Sequence, residues 1–273
     1  MNIKFGACEW ALPGNGVASL KLAKEVGLQG LQLGFITYER GFILSQPWFR
    51  AYYKEKAEKY GVALPSMAIC EFDRYGMRNP RNSKKGKIAW EIIDLAVEAA
   101  VDLNIEMIMM PSFVDGFIDT DEDLHNTADA LRYACDLAAK YNIVIASENL
   151  LTLERNAQLF KEVNRNNLKA FYDSQNYKSN LGWEQVPMLE GLYESLYPEI
   201  HVKDGIGDVI SCKLLGEGDT DFAGTMRVLR ERNYQGWIHL ENYYDRLPLR
   251  NLAPNDYISI VKRDLDILKG ECR

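Results

Sequence analysis

The sequence predicts a single (β/α)8 barrel over residues 1–273, and three observations carry that reading. Short β-rich runs alternate with longer stretches of helical spacing, eight such runs can be counted, and 273 residues suit the roughly 250 that such a barrel needs. Alternation of this kind argues for parallel βαβ units. The expected strands are Ile3–Cys8, Gly30–Gly34, Ala63–Ile69, Glu106–Pro111, Ile143–Glu148, Leu168–Asp173, Glu199–Lys203 and Trp237–Glu241.

Between the strands, apolar residues recur at steps of three and four, the signature of one buried helix face. Ile88, Ile92, Leu95, Ala99 and Leu103 form one such stripe, and Leu124, Ala128, Leu131, Cys135 and Ala138 form another. Ile258, Val261, Leu265 and Leu268 form a third. Ser83, Asp121 and Thr220 are short polar acceptors placed to cap helix N-termini. Gly61, and Gly236 in the segment Asn233–Trp237, are suited to left-handed helix exits. With no composition break or low-complexity tract, one domain is the economical expectation.

Composition narrows the function classes. Hydrophobic residues make up 47% and charged residues 26%, as in ordinary globular proteins. The net charge of −7 disfavours non-specific nucleic-acid binding, which needs surplus Lys and Arg. Five cysteines without a C-x-x-C pair give no disulfide framework, and a reducing cytoplasm is the expected setting. No run approaches the ~18 apolar residues of a membrane span, and the N-terminal stretch lacks a secretory pattern.

Barrels of this class carry their chemistry at the C-terminal ends of the strands, where the βα loops meet. At those positions the fifth to eighth strands offer Glu148, Asp173, His201 and Glu241. Converging carboxylates would repel one another and lose solvation, and a divalent cation resolves both costs. Three oxygens and one nitrogen suit Mn²⁺ best, with Mg²⁺, Co²⁺ or Zn²⁺ as alternatives. A strand-end carboxylate can instead cap the next helix, but four metal-competent groups on four successive strands make capping the weaker account of the set.

The run Ala146-Ser147-Glu148-Asn149-Leu150 is followed by Tyr172-Asp173-Ser174-Gln175-Asn176 and His201-Val202-Lys203-Asp204-Gly205. Leu215-Gly216-Glu217-Gly218-Asp219-Thr220-Asp221-Phe222 and Gly236-Trp237-Ile238-His239-Leu240-Glu241 come next. In this order the chain resembles the xylose isomerase-like sugar isomerases and epimerases. The resemblance implies a ketose or related polyol, free or phosphorylated, held on the metal and converted through an enediolate. It also implies that Glu148 and Glu241 form the acid/base pair, working from opposite faces of the substrate.

Within that resemblance Glu154 corresponds to a substrate-contacting Glu of ketose 3-epimerases, with an exposed helix-start carboxylate as the alternative. Asn176 stands where several relatives have a substrate-binding His, and Gln32 where many have Glu. Lys203 shares the strand parity of His201 and can contact a substrate oxygen or phosphate, or pair with a neighbouring carboxylate. His239 has the parity of Glu241 but lies a layer deeper, which suits a core residue or a support behind the ligands, with a direct ligand as the alternative. His125 belongs on a helix surface, and Trp10 and Phe35 can form apolar walls or simply pack loops. Free N–H groups near Gly216–Gly218 could attract a phosphate, although Glu217, Asp219 and Asp221 oppose it.

Two rival readings share the fold: an inosose-type dehydratase on the same metal, and a non-catalytic sugar-binding barrel. DNA cleavage at abasic sites, known from one branch of the superfamily, is opposed by the three histidines and the net charge of −7. No nucleic-acid or membrane partner is expected, and a homo-oligomer is compatible with the family.

Overall fold

The structure, a computed structural model, describes residues 2–14 and 16–272. Its barrel strands are β1 (Asn2–Cys8), β2 (Gly30–Gly34), β3 (Ala63–Ala68), β4 (Met107–Pro111), β5 (Val144–Glu148), β6 (Leu168–Asp173), β7 (Leu196–Val202) and, after a two-stranded insertion, β10 (Gln235–Leu240). They follow the order β1-β10-β7-β6-β5-β4-β3-β2 as a closed barrel, which bears out the expected fold class. The insertion, β8 (Asp204–Ile206) and β9 (Val209–Lys213), is an antiparallel pair directly after β7 that the sequence pattern did not announce.

The helices are α1 (Val17–Val26), α2 (Pro47–Tyr60), α3 (Lys84–Leu103), α4 (Asp121–Ala139), α5 (Leu153–Val163), α6 (Asn176–Leu181), α7 (Gln185–Leu192), α8 (Phe222–Glu231) and α9 (Tyr257–Glu271). The α4 stripe is fully buried, from Leu124 to Ala138. On α9, Val261, Leu265 and Leu268 are buried, and so is Asp264 beside them. Ser83 caps α3 as expected. The other two caps each shift by one residue. Thr120, not Asp121, caps α4 through a capping box with Asp123, and Asp221, not Thr220, caps α8. Gly61 takes the left-handed exit, whereas at the end of α8 Asn233 takes it. No described helix is long and apolar enough to cross a membrane.

Contacts group the chain into two compact units. The first comprises the described residues up to Gln32, then 56–63 and 172–272. In it β1 pairs in parallel with β10 and β2, and β10 with β7, so that Gly6, His239 and His201 lie at one level. Gly6 has to be glycine there, because a Cβ would meet the His239 ring at 2.4 Å. The second unit comprises 33–55 and 64–171. It carries the β3-β4-β5 ladder and the start of β6, with Pro111 opposite Glu148 and Ile145 opposite Leu168.

Candidate active site

Parallel register sets the level of the first unit's functional groups. With Leu240 opposite Val202, the next residues on each side are Glu241 and Lys203, and the Glu241 N–H donates to Val202 O at 3.0 Å. Lys203 Nζ lies 2.7 Å from Glu241 Oε2 and 3.3 Å from Asp173 Oδ2. His201 Nδ1 lies 3.3 Å from the same Glu241 oxygen. All four side chains are buried. The structure therefore brings Asp173, His201, Lys203 and Glu241 together, with Lys203 in the carboxylate-pairing arrangement.

Each carboxylate divides its work between its two oxygens. Asp173 Oδ1 accepts the N–H groups of Gln175 and Asn176 at the start of α6, both at 2.8 Å. Its Oδ2 is buried and accepts no hydrogen bond among the described residues. Capping thus occupies one oxygen and leaves the other facing the site. Glu241 Oε1 accepts a hydrogen bond from Trp10 Nε1 at 2.9 Å. Trp10 also presents its ring edge-on to His201, so it anchors the site rather than merely walling it.

Burial pushes the Glu241 carboxyl up, but the Lys203 ammonium outweighs it and holds the group well below the usual carboxylate range. Asp173 goes the other way: burial raises it, Lys203 opposes this only in part, and the charge of Glu241 adds to the rise. One ammonium between two buried carboxylates cannot compensate both equally.

This donor set fits a divalent cation. The buried Asp173 oxygen without a hydrogen bond lies near the His201 imidazole, and the Glu241 carboxylate and the Cys8 thiol lie near that same imidazole. Cys8 Sγ, a His201 nitrogen and a Glu241 oxygen lie within 4.8 Å of one another. Cys8 was not among the expected ligands. The signal for it was present, since it shares the inward parity of Gly6 on β1 and ends that strand.

In the second unit, Glu148 is buried at the end of β5, and its backbone carbonyl accepts from Ser112 N at 2.8 Å. The turn after it is built by Asn149, whose amide group donates to Ser147 Oγ and Asn156 Oδ1 and accepts from Leu151 N. Glu154 is exposed in the first turn of α5, where its own N–H and the Thr152 hydroxyl hold its carboxyl below the usual range. His125 is exposed on α4 beside Glu162 and Asp129, and Phe35 is buried in a stack with Phe42.

The loops after β7 and β10 are tied by two buried aspartates. Asp204 accepts the N–H groups of Gly205, Gly216 and Gly218 and the Thr220 hydroxyl at 2.8–3.0 Å. The Gly216 and Gly218 donors are thus taken by a carboxylate of the chain itself, which leaves them no free N–H for a phosphate. Asn242 Oδ1 accepts from Asp204 N, and its Nδ2 donates to Asp264. Asp264 also accepts from Leu215 N and the Tyr244 hydroxyl.

Burial pushes the Asp264 carboxyl up to about 6 despite these three donors. A raised acid is favoured protonated in the folded chain, so its contribution is fully present below the ordinary value of 3.8 and is lost as pH rises through about 6. The shift corresponds to roughly 3 kcal/mol. Urea unfolding at pH 4.5 and 7.5 should therefore show an acid-favouring component in the wild type that Asp264→Asn removes. An equal pH dependence in the two proteins would contradict this assignment.

Residues 20–269 match the model of the xylose isomerase-like TIM barrel family, and the chain belongs to that family. Over 230 residues it is 29% identical to the 2-epi-5-epi-valiolone 7-phosphate 2-epimerase of an Actinoplanes species, covering 84% of this chain and 83% of the relative. Its fold is similar to D-psicose 3-epimerase from Clostridium cellulolyticum H10, crystallised with D-tagatose (TM-score 0.77, 15% identity, 99% of each chain). It is equally similar to a xylose isomerase domain protein from Planctomyces limnophilus (TM-score 0.77, 14% identity, 99% of this chain and 95% of the other).

Proposed function

We propose that the chain is one catalytic domain, a metal-dependent sugar or cyclitol epimerase or isomerase acting on a ketose-type substrate. The observation that carries this reading is the buried convergence of Asp173, His201, Lys203 and Glu241. Glu148, at the end of β5, completes the ligand set in this reading, and Mn²⁺ suits its three oxygens and one nitrogen. When bound, the cation would supply a Lewis acid that polarises the substrate carbonyl and stabilises the enediolate left by proton loss.

The protein groups then divide the proton transfers. Glu241 is the acceptor on one face, and Glu148 serves the other. One carboxylate takes the proton from the carbon beside the carbonyl, and the other returns a proton to the opposite face, so that the carbon is inverted with no net change in atoms. Lys203 leaves its carboxylate pairing to hold a substrate oxygen, with Asn176 and Glu154 as further polar contacts. The likeness to a cyclitol-phosphate epimerase favours including keto-cyclitols and their phosphates in the substrate class. In this reading a phosphate lies away from Gly216 and Gly218, whose N–H groups Asp204 holds. The enzyme works in the cytoplasm, and self-association into dimers is compatible with the reading.

The test is metal content followed by exchange of substrate C–H for deuterium in D₂O, across ketoses, keto-cyclitols and their phosphates. Deuterium entering beside the carbonyl, with inversion, is the expected result. A metal-loaded protein that exchanges no proton across the panel overturns the reading. Exchange accompanied by loss of water would assign the dehydratase instead.

A further inference from the structure

A buried chain of polar groups in the first unit has no part in the proton transfers, yet it leads directly to His201. Gln32 is wholly buried on β2, Glu199 on β7 and His239 on β10. Gln32 Nε2 donates to Glu199 Oε1 at 3.0 Å, and Gln32 Oε1 lies 2.8 Å from His201 Nε2. His239 Nε2 lies 3.1 Å from the same Glu199 oxygen. His239 lies two residues before Glu241 on β10, with its ring in the space that Gly6 leaves, and Glu199 lies two residues before His201 on β7.

The orientation of this chain of groups follows from what each can do. The NH₂ end of the Gln32 amide donates to Glu199. The carbonyl end then faces His201, and because that carbonyl also only accepts, His201 Nε2 must carry the proton. The other ring nitrogen, Nδ1, is the one beside Glu241. A neutral imidazole with its proton on Nε2 presents a lone pair at Nδ1, the form needed to bind a cation.

We infer that Gln32 and Glu199 are positioning residues which fix His201 with its proton on Nε2, so that Nδ1 serves as the metal-ligating atom. The inference rests on the metal-site reading above and deepens it. It also accounts for an amide rather than a carboxylate at position 32. A Glu at 32 would accept the His201 proton equally well but has no NH₂ group to donate to Glu199.

The test pairs side-chain NMR with a binding measurement. In ¹⁵N-histidine-labelled protein, long-range ¹H–¹⁵N spectra report which ring nitrogen is protonated, both without metal and with Mg²⁺. Mn²⁺ titration followed by electron paramagnetic resonance gives the affinity. Wild type should show His201 protonated at Nε2 in both states. Gln32→Leu should lose that signature and bind Mn²⁺ about 10–100-fold more weakly. Gln32→Glu should restore the Nε2 proton and most of the affinity. If Gln32→Leu fails to fold, Glu199→Gln gives the second test. It lets the amide at 32 face either way and should yield a mixture of His201 protonation sites.

A bare His201 Nε2 in the wild type overturns the inference, and so does Mn²⁺ affinity within threefold of wild type in folded Gln32→Leu. Wild-type protein that binds no metal would overturn the functional reading instead, while the metal-free spectra would still decide the orientation of the relay.

Discussion

Glu241→Gln is expected to slow substrate C–H exchange by about 10²–10⁴-fold at saturating metal, the range that one positioned acid or base contributes. The substitution is nearly isosteric. An amide at 241 can still accept from Trp10 or Lys203 through its oxygen, so the site should stay folded. What it loses is the ability to take a proton at neutral pH. Glu148→Gln should cause a loss of similar size, because inversion needs a donor on the face opposite the acceptor.

Isotope exchange separates the two roles. A variant that lacks only the second proton transfer should still wash the substrate C–H into solvent from one epimer while failing to form the other. If either variant retains full epimerisation, the two-carboxylate mechanism is wrong. A metal titration alongside tells a catalytic loss from a binding loss: a rate that recovers at high Mn²⁺ marks weakened ligation rather than a missing base.

The parts of this site that could be read from sequence are those fixed by strand geometry. Side chains alternate across a strand with period two, and strand ends define the functional face, so His201, Lys203 and Glu241 follow from parity alone. Asp173 followed from the same rule, and its capping bonds to Gln175 and Asn176 realise the alternative use of a strand-end carboxylate without consuming the whole group. Cys8 obeyed the rule too, but at the first strand, where no motif drew attention to it.

Contacts made across long sequence separations left no local trace. The Trp10–Glu241 hydrogen bond joins residues 231 positions apart, and the Gln32–His201 contact joins residues 169 apart. The hairpin of β8 and β9 is too short to show periodicity, yet it supplies Asp204, which takes the Gly216 and Gly218 N–H groups. Asp264 was hidden for another reason. It sits on the apolar stripe of α9 between Val261 and Leu265, where an acid reads as a break in the pattern, although it is the buried anchor of two loops.

Lys203→Met is expected to destabilise the metal-free protein by about 3–5 kcal/mol, the cost of removing one partner from a buried ion pair. The side-chain exposure of Lys203 is 4%, with Asp173 at 1% and Glu241 at 9%, so water screens little of the charge left behind. Met fills much of the same volume, and packing therefore contributes little to the loss. The decisive comparison is with a divalent cation present. If Asp173 and Glu241 are metal ligands, the ion supplies the missing positive charge, and most of the deficit should vanish in urea unfolding with excess Mn²⁺ relative to EDTA. Mn²⁺ binding should also tighten in the variant, because the ion no longer competes with the ammonium for the same two oxygens. An equal deficit with and without Mn²⁺ would mean that Lys203 is the only cation these carboxylates serve, and the buried cluster would then be a structural ion pair rather than a metal centre.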